Sequence, residues 1–125
     1  MRRVRVGAIL HTPDGILLAK HIFNLRFGLI GGAVKRKESL EEAMKREIFE
    51  ELGTTPSKMR HLCTIHKGMH QHEIFTVDIP ILSLGKLNSW QFRELFFLNK
   101  NNSLEKIDLS PYARIAFTHY FRQKT

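Results

Sequence analysis

The chain has 125 residues, of which 42% are hydrophobic and 26% charged, and its formal net charge is +8. This length allows one hydrophobic core rather than two, and the composition excludes a disordered chain. No apolar run approaches the roughly 20 residues of a membrane-spanning helix. The N-terminal apolar stretch is too short for a signal peptide, and the single cysteine, Cys63, excludes an internal disulfide. We therefore expect one domain over residues 1–125, with no membrane segment, in the cytoplasm.

The first part of the chain predicts a β-hairpin. Residues 4–11 and 16–21 are rich in Val, Ile and Leu, and a Thr-Pro-Asp-Gly sequence lies between them. Proline fixes φ in such a turn, and Asp-Gly tolerates positive φ. A short apolar piece over residues 27–30 follows, and it ends at Gly31-Gly32.

The clearest helix is predicted between Ser39 and Gly53. Ser39 and Glu42 form a capping-box pattern, apolar residues recur between them and Gly53 at helical spacing, and glycine is a common helix end.

The rest of the chain predicts more strands and a second helix. Three strands and a loop are predicted over residues 59–66, 73–81, 92–98 and 100–103. Ser110-Pro111 opens the last helix, because proline is tolerated at the first helical position. This order of elements is typical of a mixed α/β domain with helices packed on a sheet.

Three glutamates of the first helix, Glu47, Glu50 and Glu51, recur at the spacing i, i+3 and i+4. That spacing puts the three carboxylates on one helix face, with about 5–6 Å between neighbouring Cβ atoms. Such a cluster favours a hard divalent cation such as Mg²⁺, which commonly links carboxylates to substrate phosphates. The alternative is a solvated acidic face, because glutamate is a good helix former and common on helix surfaces.

Other residues upstream of this cluster belong to the same pattern. The pair Gly31-Gly32 lets the backbone approach a ligand closely. Glu38 and Arg46 can pair and hold the preceding loop against the helix. The whole string reads Gly32, five residues, Glu38, seven residues and then Arg46-Glu47-Ile48-Phe49-Glu50-Glu51-Leu52-Gly53.

This string resembles the Nudix box, and every glycine and charged position of that signature is present at the right spacing. The resemblance implies a Nudix-type α/β/α sandwich with a mixed sheet, in which the box forms a loop–helix–loop. It also implies Mg²⁺-dependent hydrolysis of a diphosphate linkage in a nucleoside diphosphate joined to another group, with Mn²⁺ as a substitute ion. Glu47, Glu50 and Glu51 would bind the metal together with the backbone of Gly32.

The resemblance also implies roles in catalysis. The metal would polarise phosphate oxygens and help to generate a nucleophilic water, and a glutamate would take the proton from that water. Glu47 and Glu50 are the candidates for this base. Glu94 is a rival, and the alternative for Glu94 is an exposed strand carboxylate. Glu38 and Arg46 would be the structural pair, with an approach of Glu38 to the metal as the alternative.

The chain departs from the usual box pattern outside the presumed metal ligands. Thr54 replaces an aliphatic residue, Ile30 replaces a proline, and Lys35 and Lys37 replace a glutamate and a glycine. These changes affect the shape of the loop and its contacts with phosphate. Lys35 and Arg36 either hold substrate phosphates or belong to a solvated loop.

Several further side chains are candidates for substrate contact. His66, His70 and His72 could bind zinc, a base or a phosphate, with exposed strand histidines as the default. Glu73 either projects at a strand end or faces the site. Most aromatic residues of the later strands and last helix are expected in the core, although one or two could stack a nucleobase: Trp90, Phe92, Phe96, Phe97 and Tyr112. Arginines near the N-terminus could contact RNA, but a solvated strand face is favoured: Arg2, Arg3 and Arg5.

The expected substrate is a nucleotide or a nucleotide derivative. The small size resembles the MutT-like nucleoside triphosphatases, and the positive charge keeps an RNA 5′ end as a candidate. The rival hypothesis is a non-catalytic nucleotide- or RNA-binding module on the same fold. The intact set of glutamates favours the enzyme.

Overall fold

The fold is described from a computed structural model, which covers residues 3–22, 24–80, 92–99 and 104–123. The strands are β1 Arg3–Thr12, β2 Gly15–His21, β3 Ile30–Ala33, β4 Lys58–Lys67, β5 His70–Asp78 and β6 Phe92–Leu98. The helices are α1 Leu40–Leu52 and α2 Pro111–Gln123, and a 3₁₀ turn spans Leu104–Lys106. The predicted loop over residues 100–103 lies outside the described residues.

The strands form one mixed six-stranded sheet in the order β4-β5-β1-β2-β6, with β3 also paired to β1. The β1–β5 pair is parallel, and the other pairs are antiparallel. One edge of β1 is shared, because β3 pairs with its Arg5–Ala8 part and β2 with its Leu10–Thr12 part. The site described below forms around β3.

The β1–β2 turn has the predicted chemistry. The hydroxyl of Thr12 donates to the carbonyl of Gly15 at 2.7 Å and accepts from the N–H of Asp14 at 3.1 Å. Gly15 has φ +126°, and a Cβ there would lie 2.6 Å from the carbonyl oxygen of Leu98. The turn therefore requires glycine at this position.

Strand β3 differs from the prediction, which ended the apolar piece before the paired glycines. The strand runs through them, because Gly31 pairs with Gly7 and Gly32 pairs with Val6. A Cβ on Gly31 would collide with the carbonyl oxygen of Val6. The glycines are thus strand residues whose missing side chains let β1 and helix α1 come close.

Two hydrophobic layers lie on opposite faces of the sheet, because successive strand residues point to opposite sides. On one face α1 packs on a buried cluster that includes Ala8, Leu10, Leu17, Met44 and Phe75. On the other face α2 packs on a cluster that includes Ile9, Leu18, Ile74, Ala116 and Phe117. This arrangement confirms the predicted α/β/α sandwich. Among the described residues, no helix is long and apolar enough to cross a membrane.

Helix α1 begins and ends where the sequence predicts. Ser39 caps its N-terminus, with the Ser39 hydroxyl accepting from the Glu42 N–H at 3.1 Å and the Glu42 carboxylate accepting from the Ser39 N–H at 2.9 Å. Gly53 ends the helix in the left-handed conformation at φ 68°. The two caps fix the register in which the glutamates of α1 meet β3.

Candidate active site

The site begins where helix α1 crosses strand β3. A Cβ built on Gly32 would lie 2.5 Å from Oε1 and 2.7 Å from Oε2 of Glu47. Glycine is therefore required at position 32 for the Glu47 carboxylate to stay where it is. The contact brings the backbone of Gly32 and the acidic face of α1 together.

Arg46 ties the loop, the strand and the acidic face together. Its Nε and Nη2 donate to the two carboxylate oxygens of Glu38 at 2.7 and 3.0 Å, and Nη2 also donates to the carbonyl of Ala33 at 2.9 Å. Its Nη1 donates to Glu47 Oε1 at 2.9 Å and to Glu50 Oε2 at 3.2 Å. The ion pair predicted for Glu38 and Arg46 is thus present, and the same guanidinium also fixes two of the three clustered glutamates.

These contacts shift the protonation equilibrium of Glu38. The hydrogen bonds from Arg46, and then the one from the Lys35 N–H, lower the pKa of Glu38 from about 4.5 to about 2. Glu38 is therefore a carboxylate over the physiological pH range, and it anchors the loop as well as the helix.

Glu51 is the buried member of the cluster. It is only 5% exposed. Its Oε1 lies 3.1 Å from Nε2 of His21, while its Oε2 is buried with no hydrogen-bond partner. Burial raises the pKa of Glu51, and the contact with His21 partly opposes that shift. A buried carboxylate oxygen without a partner is costly, so it marks a position where a cation would be stabilising.

The carboxylate oxygens of Glu47, Glu50 and Glu51 suit a hard divalent ion, although the described residues do not form a closed metal site. Within the described part of the chain, no three His, Cys, Asp or Glu side chains converge closely enough to hold a metal as they stand. However, the cluster supplies carboxylate oxygens, the ligands that Mg²⁺ and Mn²⁺ prefer. Each such oxygen accepts more than one bond, so the hydrogen bonds from Arg46 leave Glu47 and Glu50 able to bind an ion.

A cleft of about 430 Å³ opens beside Glu51, and we call it the main cleft. Its lining includes Arg5, His21, Gly31, Glu51, His72 and Tyr112. The His72 and Tyr112 rings stack, with centroids 4.6 Å apart and an interplanar angle of 12°. Burial, followed by the positive charges of Arg5, His70 and Lys67, lowers the pKa of His72. The cleft therefore joins a carboxylate end to an aromatic and basic end.

The sequence points to most of these lining residues one by one, but it does not bring them together and it gives no sign of His21. Exposure is the default expectation for His72, with binding of a base or a phosphate as the alternative, and the structure half-buries His72 against Tyr112. Arg5 is exposed, as expected, but it lines the cleft rather than a featureless strand face. His21 was read only as the end of a strand. No local signal marks it, because its partner Glu51 lies 30 positions along the chain.

Lys35 and Arg36 lie near the site but outside the main cleft. They line a second, neighbouring groove of about 480 Å³, which also contains Arg3, Arg5 and His70. The groove and the main cleft share Arg5, so the basic side chains of the box loop lie in a cavity that adjoins the cleft.

Two other candidate carboxylates lie elsewhere. Glu94 is 57% exposed and pairs with Lys20 at 3.6 Å. Lys20 lies over the ring of Phe27, which belongs to the α2-side core, so Glu94 is on the opposite face of the sheet from Glu47. Glu73 is buried, with His61, Thr64 and Gln71 within 2.8 Å of its carboxylate, and it lines neither cleft.

Comparison with known proteins identifies the family. The model of the Nudix domain matches residues 1–104. An RNA pyrophosphohydrolase from Hamiltonella defensa is 30% identical over 108 residues, which is 82% of this chain and 66% of the relative. The chain spans 61 to 66% of the length of the curated relatives it matches. The chain therefore belongs to the Nudix family of hydrolases, as the box pattern predicted.

Solved structures agree with this assignment. A MutT Nudix hydrolase from Burkholderia pseudomallei superposes with a TM-score of 0.74 at 26% identity, covering 95% of this chain and 98% of that one. A Nudix hydrolase from Nitrosomonas europaea gives a TM-score of 0.78 at 16% identity over 99% of this chain and 91% of that one. The second likeness is one of fold alone.

Proposed function

We propose that this chain hydrolyses a pyrophosphate linkage in a nucleotide or a nucleotide derivative, with Mg²⁺ as the metal and Mn²⁺ as a substitute. The observation that carries the proposal is the buried, unpartnered Oε2 of Glu51 beside the main cleft. A buried carboxylate oxygen with no hydrogen-bond donor is suited to a cation, and the cleft that Glu51 lines is large enough for a nucleotide.

Glu47, Glu50 and Glu51 would hold the ion together with the backbone of Gly32. When bound, the ion supplies positive charge that stabilises the negative charge developing on the phosphate oxygens. Mg²⁺ commonly binds through one or two carboxylates and the substrate phosphates, so an open cluster suits it better than a closed cage.

The surrounding residues hold these carboxylates in position. Arg46 fixes Glu47 and Glu50 through hydrogen bonds of 2.9 and 3.2 Å, and His21 fixes Oε1 of Glu51 at 3.1 Å, which leaves Oε2 available. Such orientation of ligands by neighbouring groups typically changes metal affinity or activity by about 10- to 100-fold.

A glutamate of the cluster would accept the proton of the attacking water. The Glu50 side chain is 47% exposed and so reaches water directly, whereas the Glu47 side chain is 13% exposed and lies at the Gly32 contact. Glu94 has less support, because it faces the α2 side and pairs with Lys20. Lys35 and Arg36, in the groove that adjoins the cleft, would attract the phosphates of the substrate.

The substrate class is supported by two kinds of observation. The cleft joins a carboxylate end to the stacked rings of His72 and Tyr112, which suits a phosphate chain followed by a nucleobase. The relatives matched by the chain are named RNA pyrophosphohydrolases, which makes an RNA 5′ end a candidate alongside a free nucleoside triphosphate. We propose a cytoplasmic location for such an enzyme.

The test is release of phosphate or pyrophosphate from a panel of nucleoside triphosphates, other nucleotide derivatives and 5′-triphosphorylated RNA. Each substrate is assayed with Mg²⁺, with Mn²⁺ and with EDTA. We expect turnover only with a divalent ion, and we expect Glu47→Gln and Glu50→Gln to lower kcat by about 10²- to 10⁴-fold. Glu41→Gln is the matched control, because Glu41 is an exposed glutamate in the first turn of the same helix.

Two outcomes would count against the proposal. Turnover that persists in EDTA, or that Glu47→Gln and Glu50→Gln leave unchanged, would contradict the assignment of the acidic face. Nucleotide or RNA binding without turnover of any substrate would favour the binding module instead. Thermal unfolding with and without Mg²⁺ provides a readout of metal binding that does not depend on activity, because a ligand of the folded state raises Tm.

A further inference from the structure

A groove rich in positive charge lies beside the main cleft. Its basic lining residues are Arg3, Arg5, Lys35, Arg36 and His70, and we call it the basic groove. Among the described residues that line it, none is acidic. Arg5 lines both the basic groove and the main cleft, so the two adjoin at this side chain. A chain bound in the cleft would meet the groove on the other side of Arg5.

The strand register explains how these charges come to lie together. In the parallel β1–β5 pair, Arg3 lies opposite His70 and Arg5 lies opposite His72. Because side chains alternate along a strand, all four project from the same face of the sheet. This is the α2 face, since His72 stacks on Tyr112 of α2. Arg3 and Arg5 are both exposed.

The same face carries a row of rings that leads from the cleft to the groove. Tyr112 and His72 stack at 4.6 Å, and the next ring along β5, His70, has its centroid 5.9 Å from that of His72 at an angle of 42°. Planar rings interleaved with cations on a sheet surface are the arrangement that binds single-stranded nucleic acid, because bases stack on the rings while cations follow the phosphates.

We propose that the basic groove binds the single-stranded RNA that follows the nucleotide in the main cleft, so that the preferred substrate is the 5′ end of an RNA chain. This inference rests on the proposed hydrolysis at the cleft and names its substrate class. A free nucleotide fills the cleft and ends there, whereas the next nucleotides of an RNA reach Arg3 and His70. The phosphates of those nucleotides also meet Lys35 and Arg36 of the box loop.

The experiment measures kcat/KM for a free nucleoside triphosphate and for a short series of 5′-triphosphorylated RNAs that starts at the dinucleotide. We expect kcat/KM to rise with chain length until the groove is filled, by about tenfold or more, the typical effect of one stacked base. We expect the double variant Arg3→Gln with His70→Ala to lose most of this gain, mainly through a higher KM for RNA.

A matched control is available on β4. Arg60 is exposed, like Arg3, but it lines a different cleft with His11 and Tyr120. Arg60→Gln should keep the full dependence on RNA length. The gain should also shrink as salt concentration rises in the wild type, because binding of phosphates by cations releases counterions, and it should shrink less in the double variant.

Equal kcat/KM for the free nucleotide and for the RNAs would overturn the inference and leave the proposed hydrolysis intact. Inorganic polyphosphate and RNA without a 5′-phosphate are also tested as competitive inhibitors of RNA hydrolysis. If the two inhibit equally, the inference is overturned, because the groove then recognises charge alone. If no substrate is hydrolysed, the proposed function fails instead. Fluorescence anisotropy with labelled RNA then tests the groove separately. Equal affinity for RNA in the wild type and the double variant would overturn the inference about the groove.

Discussion

Replacing Gly32 with alanine would test the contact on which the acidic face depends. The added Cβ would lie 2.6 Å from the carboxyl carbon of Glu47 and 2.5 Å from its Oε1. Unbonded carbon atoms are best separated by about 3.5–4.0 Å, so the Glu47 carboxylate must move by roughly 1 Å. The backbone of the strand cannot yield easily, because it is paired to β1 through Val6.

The expected cost falls more on activity than on stability. Forcing a side chain away from its rotamer costs about 0.5–1.5 kcal/mol, and weakening the Arg46–Glu47 hydrogen bond adds about 1 kcal/mol at a partly exposed pair. We therefore expect a loss of about 1–3 kcal/mol in the free energy of unfolding. A displacement of about 1 Å at a reacting centre costs roughly 100-fold in rate, so kcat should fall by about that factor.

The assay combines Mg²⁺-dependent hydrolysis with urea unfolding. Gly7→Ala is the control, because Gly7 pairs with Gly31 in the same strand pair, and a Cβ there would make only an ordinary contact of 3.4 Å with Ile74. A Gly32→Ala protein with wild-type kcat and an unchanged Mg²⁺ requirement would refute the role of the Gly32–Glu47 contact. A protein that loses activity only because it unfolds would be recognised from the urea transition.

Two further predictions concern the loop before α1. Lys37 has φ 68° where the family commonly has glycine. Since a left-handed conformation costs a residue with a side chain about 1–2 kcal/mol, Lys37→Gly should raise the free energy of unfolding in urea by up to about 1 kcal/mol, and a destabilised variant would contradict this. Glu38 has a folded-state pKa of about 2 against an ordinary 4.5. Its pair with Arg46 therefore stabilises fully above pH 4.5 and is lost as pH falls toward 2, so the stability difference between wild type and Glu38→Gln should shrink over that window. A difference that stays constant with pH would show that the ion pair contributes nothing.

Local signals in the sequence determined much of the fold. The capping box at Ser39, the glycine at position 53 and Pro111 correctly predicted where α1 begins and ends and where α2 begins. The turn between β1 and β2 followed from Asp14 and Gly15 in the same way. These predictions succeed because caps and turns depend on hydrogen bonds and φ preferences within a few residues.

The spacing within the box carried information of longer range. The pattern predicts that positions 32, 38 and 46 belong together. In the structure Gly32 and Arg46 contact Glu47, and Glu38 is joined to this group through Arg46. The pattern was readable because one loop and one helix supply every member. The assignments of individual glutamates to metal binding or proton transfer remain predictions, and the metal and substrate experiments above test them.

The sequence by itself determined the helices, the hairpin, the family pattern and the alternation of side chains along each strand. Only the tertiary structure decided which strand face meets α1 and which meets α2. That choice separates Glu94 from Glu47 and joins Arg5 and His72 to Tyr112. It also brings His21 to Glu51 across 30 positions. The physical reason is that the alternation of side chains is a property of one strand. Which helix covers each face of that strand is set by its pairing with distant strands and by the packing of the helices on the sheet.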